Sequence, residues 1–270
     1  MPKLEVLVST FGASGLERAL AQGWPHVEGV RYLVCCQNPE GDEVLPAAEA
    51  LHARGDTDVL FFRDRGLSAN RNHSLAAAAA PYVLIMDDDL RLSADGLRAI
   101  IATFESRPEF DYLTVRAETG DRRERVFPPA GYDLRRPFRF YNAISFEIAL
   151  RREAIERLHL RFTLLAGIGA PMLGSGEEDL FLHKLRRRGL RGEYSGIFIG
   201  THEGPTTTEH SAMKPEVVRA KGAVMCMTRG RLGALVRLPL EAHRSQMPFF
   251  RALRYLGEGY VYSLKHKKEL

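Results

Sequence analysis

The sequence predicts an α/β protein with a doubly wound, largely parallel sheet. Short apolar runs alternate with amphipathic segments from residue 4 to about residue 199, and this alternation is typical of strands and helices in such a sheet. Several of these runs end in polar or charged residues, as strands do where an α/β sheet binds ligands. At 270 residues the chain can form one large domain with a small appendage.

Each predicted strand is a short run rich in large apolar residues and bounded by turn residues or charge. The predicted strands are at residues 4–10, 29–36, 58–62, 82–86, 111–117, 144–150 and 196–199. The predicted helices between the first strands are at residues 14–22 and 44–54 and from 68 onward. Residues 118–140 carry clustered Arg, Asp and Pro, which indicates an irregular, exposed insertion.

Composition and charge limit the classes of function. Lys plus Arg number 38 against 34 for Asp plus Glu, and the formal charge of +4 suits anionic substrates or an anionic membrane surface. This excess is too weak to indicate nucleic-acid binding. Two of the 3 cysteines are neighbours in an apolar run, which argues against a disulfide framework. With the first strand predicted at residue 4 and no run of about 20 apolar residues, we expect a cytoplasmic protein.

The stretch 65–92 carries the strongest local signal, because Asp87, Asp88 and Asp89 directly follow the fourth apolar run. The carboxyl ends of parallel strands are where open α/β sheets bind ligands. Adjacent carboxylates repel one another unless a cation lies between them, and oxygen ligands of this kind suit Mg²⁺ or Mn²⁺ holding phosphates. The alternative is a solvated turn before the next helix, for which Ser93 supplies a cap.

Other candidate residues lie further along the chain. Glu178 and Asp179 begin a helix after the Gly-rich residues 162–175, where they could cap the helix or, in the case of Asp179, deprotonate a hydroxyl. His202 follows the last short strand and precedes Glu203-Gly204, so it is either a structural histidine or a metal ligand. Arg71, near the start of the Ala-rich helix, could bind a phosphate together with the helix amino end.

The order of these motifs resembles the family-2 glycosyltransferases with the GT-A fold. The motifs are VSTFG, RGLSANRN, the apolar strand into DDD, GSGEEDLFL and THEG, and the resemblance covers residue 4 to about residue 202. It implies transfer of a hexosyl group from a nucleotide-diphosphate sugar to an acceptor hydroxyl, usually with inversion and with Mn²⁺ or Mg²⁺. It also implies a glycan or lipid-linked acceptor in glycan or polysaccharide biosynthesis.

The resemblance assigns roles by position. Asp87 and Asp89 are the ends of a DxD motif, and metal binding falls to Asp89, Asp87 and His202. The acidic pair is Glu178 and Asp179, with Asp179 as general base. The residues implied to bind the nucleotide sugar are Thr10, Phe11, Gln37, Asp64, Arg71, Asp87 and Asp88. Many relatives carry an Asp after the second strand where this chain has Gln37 and Asn38, but an amide can still pair with uracil, so a UDP-sugar is the favoured donor.

The expected organisation is a GT-A catalytic domain over residues 1–210 and a helical C-terminal extension over residues 211–270. Within the catalytic domain, residues 1–117 form the nucleotide-sugar half and residues 118–210 the acceptor half, shaped by the Arg-rich residues 122–139. Two alternatives stay open, a nucleotidyltransferase and a non-catalytic nucleotide-sugar-binding module. A nucleotidyltransferase normally carries a basic phosphate loop after its first strand, which is missing here before Arg18.

The last predicted helix has an apolar face beside basic residues. Its apolar residues are Phe249, Phe250, Leu253, Leu256 and Tyr260, and Arg251 and Arg254 lie beside them. This face either docks on the domain or adsorbs to the anionic inner face of the membrane as a peripheral contact.

Overall fold

The computed structural model describes residues 1–41, 45–120, 125–136, 138, 141–202 and 213–270. The contacts divide the chain into two compact units. The first contains Met1–Arg65, Ala69–Arg161 and Leu185–Gly204, and the second contains Gly66–Ser68, Phe162–Lys184 and Pro205–Leu270. The functional division at residues 117 and 210 stays a prediction. Glu203-Gly204 and part of the Arg-rich segment 122–139 lie outside the described residues.

The described residues form one sheet of nine strands in the first unit. The strands are β1 (Leu4–Phe11), β2 (Val30–Gln37), β3 (Thr57–Phe62), β4 (Tyr82–Asp87), β5 (Leu90–Leu92), β6 (Tyr112–Thr119), β7 (Tyr132–Asp133), β8 (Ile148–Arg151) and β9 (Gly192–His202). Their order is β3-β2-β1-β4-β8-β6-β9-β5, with β7 beside β9. Strands β1 to β4 pair in parallel, β8 runs antiparallel between β4 and β6, and β6 pairs in parallel with β9.

The described helices begin and end as follows: α1 (Gly12–Ala21), α2 (Leu45–His52), α3 (Leu67–Ala77), α4 (Ala94–Ser106), α5 (Arg152–Arg157), α6 (Glu177–Arg187), α7 (Pro215–Arg244) and α8 (Phe249–Lys265). The α/β fold class with a mostly parallel sheet and a helical C-terminal region is therefore confirmed. Strands β1 and β4 are almost entirely buried, which explains why both appear in the sequence as runs rich in large apolar residues.

Two sheet predictions need correction. Residues 144–150 were expected as one strand, but Ser145–Glu147 form a 3₁₀ turn before the short strand β8. The sequence also gave no sign of β5, the three-residue strand directly after the Asp triplet, and β9 is longer than the predicted 196–199. Strands β5 and β9 owe their extent to pairing with distant strands rather than to a local pattern.

The second unit contains the helical pair α7 and α8. Helix α7 is interrupted at Gly230, where φ is 75° and ψ is 169°. Leu256 and Tyr260 of α8 are buried in one cluster with Val218 and Cys226 of α7, so this part of the predicted apolar face packs inside the unit. Among the described residues, no helix combines the length and the apolar character needed to span a bilayer.

Candidate functional site

The carboxyl ends of β1, β2 and β4 lie side by side at one edge of the sheet. The parallel register pairs Ser9 with Asp87 and Phe11 with Gln37. This register brings Thr10, Gln37 and the Asp triplet to the same edge, as the fold class predicts. Asn70 strengthens the edge from α3, because its Nδ2 donates hydrogen bonds to the carbonyls of Thr10 (3.0 Å) and Cys35 (2.9 Å).

Asp87 is held by two donors from different elements. Its Oδ1 accepts a hydrogen bond from Arg71 Nη2 at 3.1 Å, and its Oδ2 accepts one from Ser145 Oγ at 3.0 Å. The Arg71 side chain is only 1% exposed. In this structure the guanidinium of Arg71 therefore fixes Asp87, and its contact with a phosphate stays a prediction.

Asp88 is buried and bound within the protein. Thr10 Oγ1 donates to its Oδ2 at 2.5 Å, and Arg18 donates from Nε to Oδ1 at 3.1 Å and from Nη2 to Oδ2 at 3.0 Å. Burial raises the pKa of the Asp88 carboxyl, although the hydrogen bonds from Arg18 and Thr10 act against it. A Cβ on Gly15 would overlap Thr10 Oγ1 and lie 2.9 Å from Asp88 Oδ2. The close approach of helix α1 to these two side chains therefore requires glycine at this position.

Asp89 lies in the turn before β5, and the pairing of β5 determines which side chain contacts Asp89. Leu90 pairs with His202 in the antiparallel β5–β9 register, which brings His202 Nε2 within 3.1 Å of Asp89 Oδ2. The His202 ring stacks on Phe146 with centroids 5.4 Å apart and an interplanar angle of 12°. Trp24 Nε1 donates a hydrogen bond to the Leu90 carbonyl at 3.2 Å, which stabilises the turn.

The Asp89 carboxylate fits a cation. Its Oδ1 is buried and has no hydrogen-bond partner among the residues that the structure describes. Burial alone would raise the pKa of Asp89, but the hydrogen bond and charge of His202 outweigh burial, and the pKa lies below its ordinary value. The Asp89 side chain is 39% exposed and its Oδ2 already pairs with His202, so Oδ1 is the oxygen left to contact a cation.

The protein does not supply a complete metal cage in the described part of the chain, since no group of three or more His, Cys, Asp and Glu side chains is arranged to hold an ion. Asp89 and His202 alone could meet one cation, and the other positions would belong to ligand phosphates and water. This is how Mg²⁺ commonly binds in enzymes that act on nucleotides.

A second cluster lies at the ends of β2 and β3. Gln37 Nε2 donates to Asp64 Oδ1 at 2.9 Å, and His73 Nε2 lies 2.6 Å from Asp64 Oδ2. The His73 ring stacks on Phe62 at 4.0 Å. Burial would raise the pKa of Asp64, but the hydrogen bonds from His73 and Gln37 outweigh it, and the pKa is lowered. Gln37 and Asp64, predicted as separate candidates, therefore form one hydrogen-bonded unit.

Phe11 ends β1 on the same edge, and its ring is exposed. The Arg65 guanidinium lies 5.7 Å from the centre of this ring. An exposed aromatic face beside a cation is a suitable surface for a nucleotide base.

The predicted acidic pair belongs to the second unit. Glu178 and Asp179 are half-buried in the first turn of α6, which follows Gly176 with φ 83°. Their neighbour Glu177 is buried and faces Gly167, where an added Cβ would lie 3.2 Å from the Glu177 carboxyl carbon. The roles of Glu178 and Asp179 in catalysis stay predictions.

Sequence reasoning missed Arg18, Asn70, Ser145 and Phe146. Asn70 lies within the motif RGLSANRN, so position relative to the strand ends could have indicated it. Ser145 and Phe146 were hidden in a segment expected to be a strand. Nothing local to Arg18 indicates that its guanidinium meets Asp88, a residue 70 positions away.

Comparison with known proteins gives one family match and several solved structures of similar fold. The family model described as "Glycosyl transferase family 2" matches residues 13–158. Among solved structures, S. aureus TarS 1-349 in complex with UDP is 17% identical with a TM-score of 0.62, over 88% of this chain and 71% of that chain. The same protein in complex with UDP-GlcNAc is 15% identical with a TM-score of 0.63, over 98% of this chain and 91% of that chain. No curated protein sequence matches the chain significantly.

The structural likeness concerns the fold, because the identities are low, and it agrees with the observed α/β sheet. The family match, in contrast, is a match of the amino-acid sequence. It covers more than half of the chain, including the Asp triplet and Arg71. It supports a glycosyltransferase and neither of the two alternatives, a nucleotidyltransferase and a non-catalytic binding module. The chain therefore belongs to glycosyl transferase family 2 and is a glycosyltransferase.

Proposed function

We propose that the protein transfers a sugar from a nucleotide-diphosphate sugar, with a UDP-sugar as the favoured donor, to an acceptor hydroxyl with inversion. The observation that carries this proposal is the buried, ionised oxygen of Asp89 beside His202, at the carboxyl edge of a family 2 sheet. The complexes of TarS with UDP and with UDP-GlcNAc support a uridine nucleotide. The proposed acceptor is a glycan or lipid-linked sugar.

Asp89 and His202 would hold the proposed Mn²⁺ or Mg²⁺. When bound, such a cation neutralises the charge that develops on a departing diphosphate. Both oxygens of Asp87 already accept hydrogen bonds from Arg71 and Ser145, so we assign to Asp87 the positioning of Arg71 near the donor rather than the main metal contact. N–H groups in the first turn of α3 would also contact the diphosphate, apart from that of Leu67, which donates to the Ile168 carbonyl.

The proposed reaction is a single displacement. The acceptor oxygen forms a bond to the anomeric carbon while the bond from that carbon to the diphosphate oxygen breaks, and the electron pair leaves with the nucleoside diphosphate. Asp179 takes the acceptor proton. Glu178, in the same turn of α6, is the second member of the proposed catalytic acidic pair. General base catalysis of this kind contributes about 10²–10⁴-fold to the rate.

The proposed base-binding group consists of Thr10, Phe11, Gln37 and Asp64. Asp64 fixes the Gln37 amide by a hydrogen bond, and a fixed amide can recognise the edge of uracil. The exposed ring of Phe11 offers a surface on which the base can stack. This arrangement replaces the carboxylate that many relatives place after the second strand.

The substitution Asp179→Asn tests the base. We expect the release of UDP from a UDP-sugar, in the presence of an acceptor and Mn²⁺, to fall by about 10²–10⁴-fold, because the amide cannot accept the proton. Calorimetric binding of UDP with Mn²⁺ should not change. Asp95→Asn is a matched control, since Asp95 is an exposed carboxylate in the first turn of α4. Normal turnover in Asp179→Asn would show that another group takes the proton.

A further inference from the structure

The second half of α7 carries apolar side chains on two sides. After Gly230, the buried side contains Ala234, Leu238 and Ala242, which pack in the core of the second unit. The other side carries an exposed stripe of Leu232 (80% exposed), Leu235 (48%), Val236 (80%) and Leu240 (49%). The spacing of i, i+3, i+4 and i+8 places these four residues along one face of the helix.

Phe250, in the chain segment that follows α7, is a further exposed apolar residue. Its ring is 83% exposed in the first turn of α8, and it contacts the ring of Phe249 edge-on at 5.3 Å. Only residues 245–248 separate the end of α7 from the start of α8. Single exposed apolar residues are ordinary, but a four-residue stripe followed by an exposed phenylalanine indicates a binding surface.

The charge around this stripe indicates an anionic partner. Residues 229–254 contain six arginines and one acidic residue, Glu241. All six arginine side chains are exposed: Arg229, Arg231, Arg237, Arg244, Arg251 and Arg254. Arg254 also pairs with Glu258 at 2.9 Å, just beyond this range. The apolar stripe therefore lies within a strongly cationic surface.

A second copy of the chain does not fit this surface well. In a two-fold dimer each subunit presents the same patch, so the arginines of one copy would face the arginines of the other. An anionic bilayer, in contrast, offers hydrocarbon for the leucines and phosphate groups for the arginines. This combination is typical of helices that lie in the interface of a membrane.

We propose that the exposed stripe of α7, together with Phe250, binds reversibly to a bilayer that contains anionic phospholipids. The apolar side chains enter the boundary between head groups and acyl chains, and the arginines contact lipid phosphates. Of the apolar face expected from the sequence, this surface contains only Phe250, and Leu256 and Tyr260 of that face are buried. The proposal is independent of donor and base, and it would stand if Asp179 were not catalytic.

Co-sedimentation of the full chain with vesicles tests the proposal. We expect binding to vesicles in which phosphatidylglycerol replaces about a third of the phosphatidylcholine, weak binding to phosphatidylcholine alone, and release at high salt. The substitutions Leu232→Ser and Val236→Ser together should weaken binding by about tenfold or more, because they remove apolar area and leave every charge. Leu20→Ser, at an exposed leucine of α1, should bind as the wild type does.

A fluorescence experiment gives a second measurement, which does not depend on a variant that loses binding and could do so by misfolding. Val236→Trp places an indole on the exposed stripe, and its emission should shift to the blue when anionic vesicles are added. Absence of both binding and shift would overturn the proposal, and so would equal binding to neutral vesicles. A dimer that dissociates in the Leu232→Ser, Val236→Ser variant, without vesicle binding by the wild type, would assign the stripe to a second copy instead.

Discussion

Asp87, Asp88 and Asp89 are neighbours in the chain, but their carboxylates meet different partners. Asp87 binds Arg71 and Ser145, Asp88 binds Thr10 and Arg18, and Asp89 pairs with His202. Asp87 ends β4, whereas Asp88 and Asp89 lie in the turn that follows, and each carboxylate contacts a different part of the fold. The middle residue anchors the turn, and the last one has the buried oxygen suited to a cation.

The hydrogen bonds between Arg18 and Asp88 predict a loss of stability when Arg18 is replaced by an uncharged residue. In Arg18→Met, Asp88 stays buried but loses two charge-assisted hydrogen bonds, and we expect the free energy of unfolding to fall by about 1–2 kcal/mol, since Arg18 itself is half-exposed. Denaturation in urea measures this change.

Arg98→Met is the matched control for Arg18→Met. Arg98 pairs with Asp95 on the surface of α4, and pairs of this kind contribute about 0–1 kcal/mol. Equal effects of the two substitutions would show that the contact between Arg18 and Asp88 does not stabilise the turn.

At the scale of the element, helix α7 changes direction at a single residue. Gly230 has φ 75° and ψ 169°, a conformation that is available almost only to glycine. No atom lies within 4 Å of a Cβ built at this position, so backbone conformation alone requires the glycine. The exposed stripe begins two residues later, and its direction therefore depends on this break.

Gly230→Ala should lower the free energy of unfolding by about 1–3 kcal/mol, because alanine must adopt the strained conformation or rearrange the helix. Gly257→Ala is the control with the opposite expected sign. Gly257 lies within α8 and is also open on its Cβ side, so alanine should stabilise the protein by about 0.5–1 kcal/mol. Thermal and urea denaturation of both variants measure the difference, and a neutral Gly230→Ala would mean that the break is not fixed by conformation.

The sequence predicted those elements whose pattern is local. Strands β1 and β4 are flanked by other strands and almost entirely buried, so most of their residues are apolar and the pattern is visible in the sequence. Strand β5 has three residues and exists only through its pairing with β9, which no local pattern can show. Ser145 was missed for a different reason, because its segment has the alternating polarity that favours a strand but forms a 3₁₀ turn.

For the whole molecule, the order of motifs was enough to identify the family, but not the contacts of the site. Asp89 and His202 were both predicted as metal ligands, and the structure places them together through the β5–β9 register. Arg71 was predicted to meet phosphate, yet its guanidinium binds Asp87 inside the protein. Pairs such as Asp88 with Arg18 require the folded arrangement of helix and sheet, and they leave no signature in the sequence.

Donor binding should stabilise the whole protein. A ligand at about 100 times its dissociation constant adds about 2.7 kcal/mol, which corresponds to a rise in thermal midpoint of about 5–10 °C for a chain of this size. Among a panel of nucleotide-diphosphate sugars with Mn²⁺, we expect UDP-sugars to give the largest rise, measured by differential scanning fluorimetry.

Asp89→Asn separates this effect from nonspecific stabilisation. Without the ionised oxygen, the rise that depends on Mn²⁺ should disappear, whereas the surface variant Asp95→Asn should keep it. An equal rise in Asp89→Asn would show that Asp89 does not hold the cation. A larger rise with guanosine or adenosine diphosphate sugars would contradict the assignment of Gln37 and Asp64 to uracil.

The pairing of β5 with β9 also has a consequence for biosynthesis. Translation delivers the Asp triplet long before His202, because β9 is the last strand of the described sheet to leave the ribosome. A product terminated before Gly192 contains β1 to β8 but lacks the imidazole that faces Asp89. The acidic edge is thus completed late, and truncated chains cannot reproduce it.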